Sequence, residues 1–88
     1  MKYSFYTTSQ FDKRFKKLDR SVQVIIHKWI NSHLIDTEDP FVYGKALLGN
    51  LKGYWRYRIG SYRLIVKVMN DKFIILAIDI DHRSAIYK

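Results

Sequence analysis

Hydrophobic and polar positions change their period once along this chain, near its middle. In the first third, Phe11, Phe15, Leu18, Val22, Ile25, Ile26, Trp29 and Ile30 recur at spacings of three and four, the stripe of a helix with one buried face. That stripe is expected to be core. Asp19-Arg20-Ser21 interrupts it with residues suited to ending one helix and capping the next, so the pattern predicts a hairpin of two helices. Ahead of it, residues 3–8 are short and rich in β-formers and read as a strand. Ser9 is the expected N-cap, with Asp12 three residues on as in a capping box.

Beyond residue 53 the period becomes that of strands. Residues 54–59, 62–69 and 73–80 are three β-rich runs separated by Gly60-Ser61 and Asn70-Asp71-Lys72, the signature of an antiparallel meander. The predicted order is β-α-α-β-β-β. This is an α+β fold in which a helical hairpin packs on one face of a four-stranded, mainly antiparallel sheet. At 88 residues one core is all the chain can enclose, so residues 1–88 are expected to form a single domain.

Composition then says what such a fold is suited to meet. Hydrophobic residues make up 48% of the chain, enough for a packed core rather than a disordered basic tail. The absence of cysteine removes disulfides and thiolate zinc sites and suits a reducing compartment. His27, His33 and His82 have no metal-ligand company in the sequence; no metal and no cofactor are expected. No run is apolar enough for a signal peptide or a bilayer span, so a cytoplasmic protein without a membrane partner is expected. Sixteen Lys and Arg against eight Asp and Glu give +8, a field that draws nucleic acid, anionic lipid or an acidic protein and does not choose among them. The excess sits in two blocks, +5 over residues 1–35 and +4 over residues 54–88, with −1 between them.

The second block has a geometry. Gly60-Ser61 has the Gly-first form of a type II′ hairpin turn, which pairs Ile59 with Tyr62, Arg58 with Arg63 and Arg56 with Ile65. Alternation then sends Trp55, Tyr57, Ile59, Tyr62, Leu64 and Val66 to one face and Arg56, Arg58 and Arg63 to the other. Like charges placed opposite each other cost a sheet up to about 1 kcal/mol, which suggests a bound anion. Arg63 is read here as an exposed strand residue. The run 73–80, apolar on both faces, is expected to pair back along 62–69. Its end then delivers Asp81, His82, Arg83 and Tyr87 to the turn end of the arginine face. The expected site is Arg56, Arg58, Arg63, His82, Arg83 and Tyr87. The aromatics, alternating away from the arginines, offer no base-stacking platform. Lys13, Arg14, Lys16, Lys17 and Arg20 form a solvated helix face or a contact to a nucleic-acid backbone, and Asp79 and Asp81 are placed to orient the arginines.

These residues carry a resemblance. The basic helical hairpin, then Leu51-Lys52-Gly53-Tyr54-Trp55-Arg56-Tyr57-Arg58-Ile59-Gly60-Ser61-Tyr62-Arg63-Leu64, then a hydrophobic strand ending in Asp81-His82-Arg83-Ser84-Ala85-Ile86-Tyr87, resemble the RelE toxins of the RelE/ParE superfamily over essentially the whole chain. The resemblance implies a prokaryotic or plasmid source and the toxin of a type II toxin-antitoxin system. It also implies ribosome-dependent endoribonuclease activity on mRNA (an mRNA interferase) and an acidic antitoxin encoded beside the toxin. Carried over by position, two strand lysines of the family fall on Arg56 and Arg58, a turn arginine on Arg63, a late arginine on Arg83 and a late tyrosine on Tyr87. Both lysines are arginines here, the turn is shorter, and His82 precedes the late arginine. A guanidinium stays protonated to about pH 12 and is a poor general base.

A metal-free ribonuclease can use the RNA's own 2′-hydroxyl as nucleophile. It then needs to remove that proton, stabilise a phosphorane and protonate the departing oxygen. On this reading Arg58, Arg63, His82, Arg83 and Tyr87 are the catalytic candidates. His82 is the best acid or base by residue type, and Tyr87 is suited to stacking or proton exchange. Arg56, Lys52, Lys13, Lys16 and Lys17 are the RNA-binding candidates, with the ribosome and mRNA as partners. Two other readings stand beside it: a ParE-like toxin acting on DNA gyrase by protein contact, and a nucleic-acid-binding module without catalysis.

Overall fold

The computed structural model of the chain describes residues 1–49 and 52–82. Strand β1 (Ser4–Thr7) leads into helix α1 (Ser9–Lys16) and helix α2 (Arg20–His33); a two-residue strand β2 (Lys45–Ala46) precedes the meander β3 (Trp55–Ile59), β4 (Tyr62–Met69) and β5 (Ile74–His82). The sheet order is β1-β5-β4-β3-β2, with β1 parallel to β5 and every other pair antiparallel. The expected α+β hairpin-on-sheet fold is therefore found, with five strands in place of four. The fifth, β2, escaped the sequence pattern because two residues carry no periodicity. No helix among the described residues is long and apolar enough to cross a membrane.

The helical hairpin breaks where Asp19 interrupts the stripe, and Asp19 is the N-cap of α2. The first cap lies one residue earlier than expected. Thr8, not Ser9, caps α1, its Oγ1 accepting from the Phe11 N–H at 3.2 Å. The same hydroxyl donates to the Ala77 carbonyl at 3.0 Å. Thr8 thus ties the end of β1 and the start of α1 to β5, and it does so beside a bulge. Ile65 pairs with Asp79 and Val66 with Ala77, which leaves Ile78 as the extra residue of β5.

The core lies between the hairpin and one sheet face. Phe11, Ile26, Ile30 and Leu34 meet Tyr57, Ile59, Leu64, Val66, Ile75 and Ile80, with Phe15, Leu18, Val22 and Trp29 packed at the margin. Ile25, expected in this stripe, is 58% exposed; Ile26 takes the inward position next to it. Tyr57 is wholly buried and donates its hydroxyl to the Pro40 carbonyl at 2.7 Å. Burial, reinforced by the charge of Asp39, pushes its phenol above the ordinary tyrosine value. Tyr57→Phe should lower unfolding stability by about 1–3 kcal/mol, because the Pro40 carbonyl loses its partner. Urea unfolding checks this, and an unchanged midpoint would mean that another donor reaches that carbonyl.

Candidate functional site

Gly60 adopts φ +60° while Ser61 stays out of the left-handed region, as a Gly-first primed turn requires. The turn sets the register read from the sequence: Ile59 faces Tyr62, Arg58 faces Arg63, and Arg56 faces Ile65. Tyr57, Ile59, Leu64 and Val66 enter the core, so Arg56, Arg58 and Arg63 leave the opposite face together. Ile65, also nearly buried, lies in the same pleat beneath the arginine stems.

Arg63 departs from expectation. It occupies the central strand between Arg58 on β3 and Asp81 on β5 and is only 5% exposed. It is flanked by β3 and β5, and the approach of β5 is something a reading of β3 and β4 alone could not register. Arg58 is exposed and Arg56 half-buried.

The C-terminal strand also runs further than expected. β5 continues through His82, which pairs with Tyr62, while Asp81 pairs with Arg63 and Asp79 with Ile65. Because Ile80 points into the core, His82 two residues later leaves the helix side of the sheet. Its ring meets Tyr62 edge-on at a centroid distance of 5.3 Å. The strand therefore brings Arg56, Arg58 and Arg63 together but directs His82 to the other face, at the exposed end of β5. Arg83 and Tyr87 lie outside the described residues.

Asp79 and Asp81 are held by a helix residue. Arg14 Nε lies 3.1 Å from Asp79 Oδ1 and its Nη1 2.7 Å from Asp81 Oδ2. Both acids on β5 thereby have a guanidinium on the α1 side. Lys13 and Lys17 line, with Arg14 and Asp81, a cleft of about 670 Å³ between α1 and the end of β5. Lys16 and Lys52 are exposed and do not line it.

A second cleft was not legible in the sequence. Trp29 of α2, Tyr43, Gly44 and Lys45 of the connection, and Arg56 and Arg58 of β3 surround about 490 Å³. It appears because β2 covers only the first two residues of β3, leaving the rest of that edge to the connection and α2. The one available signal was Gly44, ahead of a Lys-Ala pair too short to read as a strand.

The fold is that of the RelE toxins. The toxin-antitoxin complex RelBE2 from Mycobacterium tuberculosis contains a chain with TM-score 0.84 at 23% identity, aligned over 96% of this chain and 94% of that one. The isolated RelE toxin of E. coli aligns with TM-score 0.73 at 22% identity over 97% and 90%. The YoeB/ParE toxin from Agrobacterium tumefaciens gives 0.69 at 20% identity over 90% and 96%. Curated protein sequences give no match. A family model described as the ParE toxin of the type II toxin-antitoxin system ParDE matches residues 6–87. The chain belongs to that family, within the RelE/ParE superfamily, and is the toxin of a type II toxin-antitoxin system.

Proposed function

We propose that this toxin is a ribosome-dependent endoribonuclease that cuts mRNA through the RNA's own 2′-hydroxyl. The observation that carries the reading is the row Arg58–Arg63, two guanidiniums opposed across one strand pair with Arg56 on the same face. Like charges directly opposite each other weigh against a strand pair by up to about 1 kcal/mol, and a phosphate on this face turns both to use. A planar guanidinium also matches phosphate oxygens bidentately. In the proposed step the 2′-oxygen attacks phosphorus and gives up its proton. The 5′-oxygen leaves and takes one up, so the products are a 2′,3′-cyclic phosphate and a 5′-hydroxyl end. Arg58 and Arg63 carry the charge of the phosphorane and Arg56 holds a neighbouring phosphate. His82, turned from the Tyr62 ring round the exposed end of β5 to the arginine face as RNA binds, takes the 2′-proton, while Arg83 and Tyr87 serve the leaving oxygen and a splayed base. Lys13, Lys16, Lys17 and Lys52 contribute contacts to RNA backbone.

The proposed protein partner is an acidic antitoxin that covers the basic surface. RelBE2 of M. tuberculosis and RelBE of E. coli are toxin-antitoxin complexes. The proposed site of action is the ribosome, hence the cytoplasm. A second reading has one observation in its favour: the matching family model carries the ParE description, and a ParE-like toxin would act on DNA gyrase.

Purified protein added to translating ribosomes, followed by primer extension on the message, tests the proposal. Discrete new 5′ ends are expected. Gyrase-dependent DNA breaks with intact message would replace it with the ParE reading. In the same assay His82→Gln should lower cleavage by about 10²-fold, the scale of a lost general acid or base. A wild-type rate would leave His82 a structural partner of Tyr62 and rest the chemistry on the arginines.

Arg14 gives a separate expectation. Its removal frees Asp81 to turn to Arg63, its neighbour in register, and to oppose an incoming phosphate. Arg14→Ala should raise KM several-fold with kcat nearly unchanged. Stability should fall by no more than about 1 kcal/mol, because the pair is partly solvated. Arg14→Lys should recover part of the loss. An unaltered KM would show that the acids stay clear of the arginines without Arg14.

A further inference from the structure

The cleft at the edge of β3 brings cations and aromatic rings together on one surface. Among the described residues three cations, Lys45, Arg56 and Arg58, line it, and no carboxylate does. Two rings, Trp29 and Tyr43, line it as well, from elements distant in sequence. The rings are held in place. The Trp29 and Tyr43 centroids lie 6.0 Å apart at 71°. Behind them His33 stacks on Trp29 at 4.4 Å and meets Tyr43 edge-on at 4.8 Å. His33 Nδ1–H donates to the Trp29 carbonyl at 2.8 Å, and the Trp55 indole donates to the Tyr43 carbonyl at 2.7 Å. Tyr43 nevertheless remains 41% exposed.

We infer that this cleft binds one unpaired nucleotide of single-stranded RNA, with its base against Tyr43 and Trp29 and its phosphate on Lys45, Arg56 and Arg58. Rings that accept a π-face beside cations that track a backbone are how proteins hold single strands. The cavity, about 490 Å³, lies within the roughly 300–1,000 Å³ of small-ligand sites. An acidic peptide would meet the cations and make no use of the exposed Tyr43 ring. A duplex would keep its bases stacked and away from the rings. The inference rests on the ribonuclease reading, since Arg58 belongs both to this cleft and to the Arg58–Arg63 row. The bound nucleotide is then the neighbour of the scissile phosphate, and the cleft sets which base is preferred there.

The test uses the full chain, ¹⁵N-labelled, and a tetranucleotide with 2′-O-methyl groups, which binds but cannot be cut by 2′-attack. The same tetranucleotide with abasic positions and an acidic hexapeptide serve as comparisons. The intact oligonucleotide should shift the Trp29 indole N–H and the Gly44 amide, and the abasic one should leave the indole in place. Tyr43→Ala should weaken binding by about 10-fold, the lower part of the range for a lost base-stacking ring, and Tyr43→Phe should restore it. Equal binding of the intact and abasic strands overturns the inference, as does an indole that responds only to the peptide. Cleavage on ribosomes is scored separately. Base-dependent binding without any wild-type cleavage removes the ribonuclease reading and keeps the nucleotide site. Cleavage without base-dependent binding does the reverse.

Discussion

Arg58→Ala should reduce mRNA cleavage by about 10²–10³-fold, the usual loss on removing one preorganised charge-stabilising donor, while the protein becomes no less stable. The two effects have the same origin. Arg58 is exposed on β3 and stands opposite Arg63, so its charge opposes that of Arg63 by up to about 1 kcal/mol and adds to the hold on a phosphate that lies between them. Stability and activity should therefore move in opposite directions, an outcome that a structural arginine cannot give. Arg63 needs a different variant. At 5% exposure on the central strand, Arg63→Ala would empty a packed position as well as remove a charge. Arg63→Lys retains the charge and loses the bidentate fork, so it should fold and still lose most of its cleavage. Thermal unfolding and primer extension on the same preparations decide the matter. Undiminished cleavage by a folded Arg58→Ala protein would remove the phosphate site from this face.

Why the arginine face was legible and its surroundings were not follows from range. The Gly60-Ser61 turn fixes five consecutive pairs between β3 and β4, and local turn geometry is enough to derive them. The helix hairpin was readable for the same reason, since spacing and a capping residue act over one or two turns. What decides the burial of Arg63, the direction of His82 and the placement of Asp81 is the approach of β5, together with the bulge at Ile78. A bulge shifts the register by one residue and leaves no mark in an apolar run. Arg14 meets Asp79 and Asp81 across 65 and 67 positions of sequence, a contact that no local pattern announces. The cleft needed still more: α2, the connection and the edge of β3 had to be placed together before Trp29 and Tyr43 could be seen beside arginines.

That placement turns on Gly44, and Gly44→Ala should be the most damaging small substitution in the connection. Gly44 has φ +81°, where a residue with a Cβ pays about 1–2 kcal/mol. The added methyl would also overlap the Arg56 carbonyl oxygen and come within 2.8 Å of the Trp55 indole nitrogen. Backbone in a sheet cannot yield as a flexible side chain can, so the connection must lift from β3. Lifting it gives up the pairs of Lys45 with Arg56 and Ala46 with Trp55 and the Trp55–Tyr43 hydrogen bond. It also separates Tyr43 from Trp29. A loss of about 2–4 kcal/mol is expected, within the range of mutations that combine backbone strain with a clash. For a domain of this size that means a fall in Tm of at least about 8 °C. Gly49→Ala supplies the comparison, because Gly49 also has positive φ, at +67°, yet a Cβ there meets nothing within 4 Å. It should cost only the backbone part and leave the cleft intact. Calorimetry on the two variants, with the Trp29 indole signal as a local probe, separates strain from contact. Equal stability of the two would mean that the connection moves freely over β3, and that the cleft it shapes is not a fixed feature of the fold.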